Sequence, residues 1–322
     1  MLIFVARRLA FAVVLVIAAS SAALLLTRLA PGDVTAQLGP FPTRSEVEST
    51  RARFELDRGP LAQWGLWAGR ALRLDFGESF LYSRPVGPLV ARAALNTAVL
   101  ALASLVTATA AGIVFGVLTG SRHGGLIPGF IRAASLVAVS MPPLLTSLFL
   151  VFIAARTGWF PAGGMSSVES ASLSGVAWMA DVARHLPLPV LALSLPVAAT
   201  FERMQSQALS ETVHLPFVVA ALARGVSHRD VIVRHAWRVS VRPLCAVYGI
   251  VIGALLSGSF VVEYVTAWPG LGRLMYEALR ARDIYLVAGC AAMGSLFLAL
   301  GTLAGDLLLA VADPRMREGH TV

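Results

Sequence analysis

The residues best able to hold a metal or drive covalent chemistry are six histidines (His123, His185, His214, His228, His235 and His320) and two cysteines (Cys245 and Cys290). Their spacing supports neither role. No His-Glu-x-x-His occurs, and no histidine lies well within an apolar run of membrane-spanning length. Both cysteines fall in apolar segments, where an unpaired thiol behaves as a small hydrophobe, so neither reads as a disulfide partner or metal ligand. All 26 basic residues are arginines. A phosphate-binding P-loop needs a lysine, so any nucleotide chemistry must belong to another subunit. Among acids in the apolar segments, Asp306 stands near the end of the last one, while Glu202 and Glu263 are expected at helix ends. A proton- or sodium-coupled carrier buries several such groups near the membrane midplane, and no such set is found. Asp306 fits a helix-end hydrogen bond better than a proton relay.

The stretch that remains is 203–243, a polar interval with its own internal architecture. Pro216 is expected as a first helical residue, since the first turn leaves its missing amide hydrogen unneeded. The helix then runs through Phe217 and Ala221 to Ala223 and Arg224, and Gly225 closes it in a left-handed turn. Ser227 and Asp230 have the spacing of a capping box, so a second helix should start there and continue to Pro243. The first helix is about 13 Å long, too short for a bilayer core of roughly 30 Å. It is almost wholly apolar, and a patch of that kind marks an interface, with a groove in a partner as one way to cover it. The second carries Arg234, Arg238 and Arg242 at four-residue spacing, expected on one face near the membrane surface. A loop packed under its own helices is the plainer reading.

Composition supplies the setting. The 322 residues are 57% hydrophobic and 14% charged, with a mean hydropathy of +0.75. That excludes an ordinary soluble domain and predicts an all-α integral membrane protein. The net charge of +8 suits inside-facing membrane loops rather than nucleic acid. Arg7 and Arg8 precede an apolar run with no convincing cleavage site, so a retained first span is expected rather than a signal peptide. Apolar runs at about 9–29, 95–119, 133–155, 186–202, 244–262 and 285–310 give six transmembrane helices. The fourth is interrupted by Pro187, Pro189 and Pro196, whose freed carbonyls need a buried neighbour. Six spans put both termini on one side. Arg7, Arg8, Arg122, Arg132, the arginines of 203–243, Arg315 and Arg317 share it, which assigns it to the cytoplasm.

The opposite side carries a long external loop after helix 1, residues 30–94. Phe54, Leu56, Trp64, Trp67, Leu72 and Phe76 predict a small folded excursion there rather than a linker. Residues 1–94 therefore form one part, 95–313 a five-helix core with the 203–243 loop, and 314–322 a tail. A second external loop, 263–284, holds Trp268-Pro269-Gly270-Leu271-Gly272, a turn-rich stretch beside an aromatic of the kind that sits at headgroup level.

Several spaced motifs in one order resemble the permease subunits of bacterial ABC importers for dipeptides, oligopeptides and nickel. They are Ala6-Arg-Arg-Leu9, Arg28-Leu-Ala-Pro-Gly-Asp33, Leu74-Asp-Phe-Gly-Glu-Ser79, Arg84-Pro-Val86, Gly158-Trp-Phe-Pro-Ala162, Glu263, Trp268-Pro-Gly-Leu-Gly-Arg273, Arg282-Asp283 and Asp313-Pro-Arg315. The loop resembles that family's ATPase-docking segment, with Ala221, Ala223, Arg224 and Gly225 followed by His235-Ala-Trp-Arg238 and Pro243. Ser206, Val219, Leu222 and Val239 depart from the residues common there. The resemblance implies a type I ABC importer permease fold in the bacterial cytoplasmic (inner) membrane, with both termini cytoplasmic. It also implies that the docking residues are Phe217, Ala221, Ala223, Arg224, Gly225, His235 and Arg238, and that Glu263, Trp268, Pro269, Gly270, Gly272 and Asp283 form an external motif. The implied partners are a second homologous permease, one or two ATPases binding ATP and Mg, and an extracytoplasmic solute-binding protein. No cofactor or catalysis is expected in this chain.

The resulting expectation is an importer permease for di- or oligopeptides. Nickel or another small solute stays open within that class. An ATP-independent carrier or channel is the alternative from another class.

Overall fold

A computed structural model describes residues 2–30, 43–121, 124–172 and 174–312, and all the regular structure in them is helical apart from one isolated bridge between Glu78 and Pro85. The helices are α1 (Leu2–Leu29), α2 (Arg44–Arg53), α3 (Pro60–Ala71), α4 (Val86–Gly120), α5 (Leu126–Ser140), α6 (Pro143–Thr157), α7 (Gly175–His185), α8 (Pro187–Thr212), α9 (Pro216–Ala223), α10 (His228–Asp230), α11 (Trp237–Ser240), α12 (Arg242–Gly258), α13 (Phe260–Val265), α14 (Leu271–Arg280) and α15 (Ile284–Ala312). Among the described residues four stretches are long and apolar enough to cross a membrane: Ala6–Leu29, Val86–Gly120, Arg242–Val265 and Ile284–Leu308. Two bent pairs, α5 with α6 and α7 with α8, bring the number to six if each is one span. Within a single segment only a helix satisfies every backbone group without water, which is why these apolar runs fold this way.

The proline effects fall elsewhere than expected. The third run bends most, by 108° between α5 and α6. Pro142 there is extended, at φ −59° and ψ 141°, and Pro143 opens α6. A proline disfavours helical backbone in the residue before it, so this dipeptide ends one helix and starts the next. In the fourth run the bend is 47° and falls before Pro187, at Leu186, while Pro196 lies inside α8 without ending it. The second helix also begins nine residues earlier than expected, at Val86 rather than 95.

The chain divides into two compact units. The first comprises residues 99–268 with those after 299, and its centre is α8, which packs against α5, α6, α7, α11, α12 and α13. Glycines let helices touch here. A Cβ on Gly116 of α4 would lie 2.6 Å from the Cβ of Gln205 on α8, and one on Gly120 would lie 2.6 Å from the Ser206 carbonyl. Gly249 and Gly253 of α12 meet Gly305 and Gly301 of α15 in the same backbone-to-backbone way. Where lipid offers no hydrophobic drive, such close van der Waals approach is a main source of helix association.

The second unit comprises residues 2–98 and 269–299. Its core gathers Phe54, Leu56, Trp67, Val86, Val90, Leu271, Leu274, Tyr285 and Leu286. The segment between α1 and α4 is thus folded around most of the apolar and aromatic residues that suggested an excursion. Leu72 is the exception, at 83% exposed. Thr43 caps α2 through a complete capping box with Glu46.

Candidate functional site

The loop 203–243 builds a compact platform on the end of α8. Leu215 is extended, Pro216 takes the first helical position of α9, and Gly225 follows its end at φ +81°. The Val226 amide donates to the Ala221 carbonyl at 3.3 Å and the Gly225 amide to the Leu222 carbonyl at 2.9 Å. This paired closure defines a Schellman motif and requires a left-handed residue where glycine stands. Ser227 caps α10, its hydroxyl oxygen accepting from the Asp230 amide at 3.2 Å.

Beyond Asp230 the helix differs from expectation. Val231–Ala236 winds as a π-helix, α11 ends at Ser240, and Pro243 lies in the first turn of α12 instead of stopping the second loop helix. The wider turn brings Val231, Ile232 and Ala236 together against Leu209, Val218 and Ala221. Buried apolar contact is what makes this irregular winding worth its poorer local geometry. Arg234, Arg238 and Arg242 are exposed, but the π-turn breaks the simple four-residue register between them.

The face of α9 is divided by this packing. Val218 and Ala221 are 1% and 2% exposed, held by Leu209 of α8, Val117 of α4 and the π-turn. Phe217, Val219 and Leu222 stay open at 43%, 52% and 38%. Ala221 is therefore an anchor inside this chain, while Ala223, Arg224, Gly225, His235 and Arg238 are exposed. Val219 and Leu222 enlarge the open apolar patch.

Deeper in α8, Glu202 departs from the expected helix end. It lies in mid-helix, 2% exposed, and its Oε1 accepts the Thr119 hydroxyl at 2.6 Å. Among the described residues its Oε2 has no hydrogen-bond partner. Arg132 donates to the Thr119 carbonyl at 2.7 Å, and Gln205 donates to the Ser240 hydroxyl at 2.8 Å. No sequence pattern pointed to Thr119, Gln205 or Ser240. The four-residue spacing of Gly112, Gly116 and Gly120 was the available signal for a close helix contact.

The external-motif residues fall into separate settings. Glu263 is fully buried in α13 and accepts the Ser259 hydroxyl at 2.6 Å. Trp268 is also fully buried, among Leu100, Val190, Leu193 and Val262, not at a headgroup-facing surface. In the other unit the carbonyl of the exposed Pro269 accepts from the Asn96 side-chain Nδ2 at 2.8 Å, Gly270 precedes α14, and Gly272 is half-buried. Thr97 accepts the Leu271 amide at 2.7 Å, capping α14 from another helix.

Asp283 holds that unit's polar centre. Its Oδ1 accepts the Leu286 amide at 3.0 Å, capping α15, and its Oδ2 accepts the Ser79 hydroxyl at 2.5 Å and the Leu81 amide at 3.1 Å. Burial pushes the Asp283 carboxyl above its ordinary range, partly offset by hydrogen bonds from Ser79, Leu286, Leu81 and Phe80. The resemblance motif Leu74 to Ser79 is thereby tied to Asp283. The closing Asp313-Pro-Arg315, together with residues 31–33, Arg122, His123, Arg317 and His320, lies outside the described residues. Among the described residues no three His, Cys, Asp or Glu side chains gather to hold a metal.

Residues 112–318 match the family described as binding-protein-dependent transport system inner membrane component. The chain is similar to a peptide transport system permease protein of Brucella abortus (strain 2308), 31% identical over 314 residues that cover 97% of this chain and 98% of the relative. It is similar to the oligopeptide transport system permease protein AppB of Bacillus subtilis (strain 168), 26% identical over 97% of this chain and 98% of the relative. The oligopeptide transport system permease protein OppB of Mycobacterium bovis is 29% identical, covering 98% of each.

Proposed function

The chain belongs to the binding-protein-dependent transport inner membrane components, and on that footing we propose that it admits di- or oligopeptides and takes its drive through α9. It is a multi-pass inner membrane permease of an ABC transporter, not an enzyme. ATP hydrolysis resides in a partner chain, and a solute-binding protein works with the assembly. Family membership replaces the ATP-independent carrier as a reading. Peptides are favoured as solute because the similar proteins carry that word in their names. Nickel is favoured by nothing in them.

The observation that carries the drive is the divided face of α9. Its buried side is fastened to α4, α8 and the π-turn, and its open side offers Phe217, Val219 and Leu222, with the exposed Arg224 directly after the helix. An exposed apolar patch of this kind fits a groove in a cytoplasmic ATPase. Closure of the ATPases on ATP would draw the docked platform with them and shift the bundle between inward- and outward-open states; hydrolysis resets it. A second homologous permease completes the pathway, one or two ATPases dock beneath, and both termini lie in the cytoplasm with the loop.

The test is a pair of substitutions. Phe217→Asp should leave the chain stably inserted yet remove the ATPase from the purified assembly and abolish uptake. Ala221→Asp should do so only by unfolding the platform, since it buries a charge against Leu209 and Val231. Normal ATPase recovery with Phe217→Asp would overturn docking through α9. Competition of uptake by a series of short peptides, and its absence with nickel, tests the solute.

A further inference from the structure

The two helices of the external segment have opposite chemistry. In α2 five of ten residues are charged, whereas α3 carries only Arg70 among its twelve. Globular packing explains one face of α3: Gln63 and Trp67 are buried, and Trp64, Ala68 and Ala71 pack onto the same core. The opposite face needs another explanation. Leu61, Ala62, Gly65, Leu66 and Gly69, with Leu72 just beyond the helix, fall on one arc and are all exposed, Leu61 at 73% and Leu72 at 83%. A helix that is apolar all round belongs in a core or in lipid.

Contacts with α1 fix the depth. Arg28, near the end of the first span, donates to the carbonyls of Leu56 and Arg58. Six residues after Arg58, the Trp64 indole donates to the Ser21 hydroxyl at 2.8 Å. Ser21 lies seven residues before Arg28 on α1, about 10 Å along a helix axis. The second turn of α3 is therefore level with the interior of a membrane span, and near that end of α1 Leu26 and Leu29 are likewise open, at 68% and 70% exposed. We infer that α3 lies within the membrane interface, its Leu61–Gly65–Leu66–Gly69–Leu72 face covered by lipid chains. Arg58 and Arg73, exposed before and after the apolar arc, reach back to the headgroups, while Arg70 turns inward to Glu55 and the Tyr285 ring. The inference rests on α1 spanning the bilayer.

Spin labels in the assembled transporter, reconstituted in lipid nanodiscs, would test it by accessibility to oxygen, which partitions into lipid, and to a water-soluble nickel chelate. Labels go on Gly65→Cys and Leu66→Cys, with Val14→Cys on α1 as lipid reference and Ser49→Cys on α2 as water reference; the unsubstituted chain controls for Cys245 and Cys290. Gly65 suits a label because nothing lies within 4 Å of an added Cβ. Retained uptake in both variants establishes that the fold survives. The expected result is an oxygen-to-nickel ratio at 65 and 66 several-fold above that at 49 and close to that at 14. High nickel accessibility at 65 and 66 would place the face in water and overturn the proposal. Low accessibility to both reagents would mean that a protein helix covers it, and would overturn it equally. A water signature at Val14 would instead remove the spanning reading of α1.

Discussion

Thr119 of α4 donates its hydroxyl at 2.6 Å to Glu202 of α8, a carboxylate 2% exposed in the middle of a helix. The pair stands where Gly116 and Gly120 bring the two helix backbones together, so there is little room for water. Removing one partner from a buried polar pair leaves the other unsatisfied, at about 1–3 kcal/mol, while replacing both with apolar groups is close to neutral. Thr119→Val should lower the thermal midpoint of the purified chain, and Thr119→Val with Glu202→Met should recover most of the loss. A double variant no better than the single one would refute this account.

Close approach makes a sharper comparison between glycines. Gly116→Ala should destabilise by about 1–3 kcal/mol, the usual cost of overpacking, because the new methyl meets the Gln205 side chain and the Glu202 carbonyl. Gly129→Ala in α5 has nothing within 4 Å of the added carbon, so helix propensity alone should make it neutral or stabilising. Thermal midpoints of the two variants in one detergent decide the matter.

At Gly225 the requirement is conformational, since the site is open but φ is +81°. Gly225→Asn should be tolerated better than Gly225→Ala, which carries a left-handed strain of about 1 kcal/mol. Gly225→Pro forces a negative φ and deletes the amide that bonds Leu222, so ATPase recovery and uptake should vanish while membrane insertion persists. Pull-down of the ATPase across the three variants gives the order.

Asp283 answers Ser79, Leu81 and Leu286 together, so Asp283→Ala should cost more than the ~1 kcal/mol of a lost helix cap, with Ser79→Ala reproducing only part of it. Because burial raises this carboxyl, its protonated form favours the fold. Its stabilising contribution is complete below pH 3.8, the ordinary value, and is lost as pH rises through the raised one. Asp283 therefore does not drive acid unfolding. The acid limb of a midpoint-versus-pH curve should not shift toward greater acid resistance in Asp283→Ala.

Tyr82 works at the other end of the scale. Its hydroxyl donates to Glu277 at 2.5 Å, and burial, followed by that acceptor and its charge, pushes Tyr82 up to about 12 from 10.0. The folded chain keeps a proton that the unfolded chain releases near pH 10, so this contribution is complete below pH 10 and is lost as pH climbs toward 12. Tyr82→Phe should flatten the midpoint between those limits. An unchanged slope would mean that the pair contributes nothing there.

Features of short range are legible in the residues themselves. Apolar runs make spanning helices because backbone groups in lipid must pair internally, and Pro216, Gly225 and Ser227 set the ends of α9 and α10 because caps are hydrogen bonds between near neighbours. The absence of lysine likewise assigns ATP to another chain, because a phosphate-binding loop needs that side chain. Which side of α9 remains open is a matter of tertiary packing, since Val218 and Ala221 are chosen by Leu209, Val117 and a π-turn that come from different elements. Packing also moves Glu202 into a buried mid-helix pair, sinks Trp268 into a core, and sets the strongest bend at Pro142-Pro143 instead of in the fourth run. Periodicity cannot express such choices. An apolar residue satisfies lipid, core and partner equally well, and only contact with particular neighbours determines which of the three it meets.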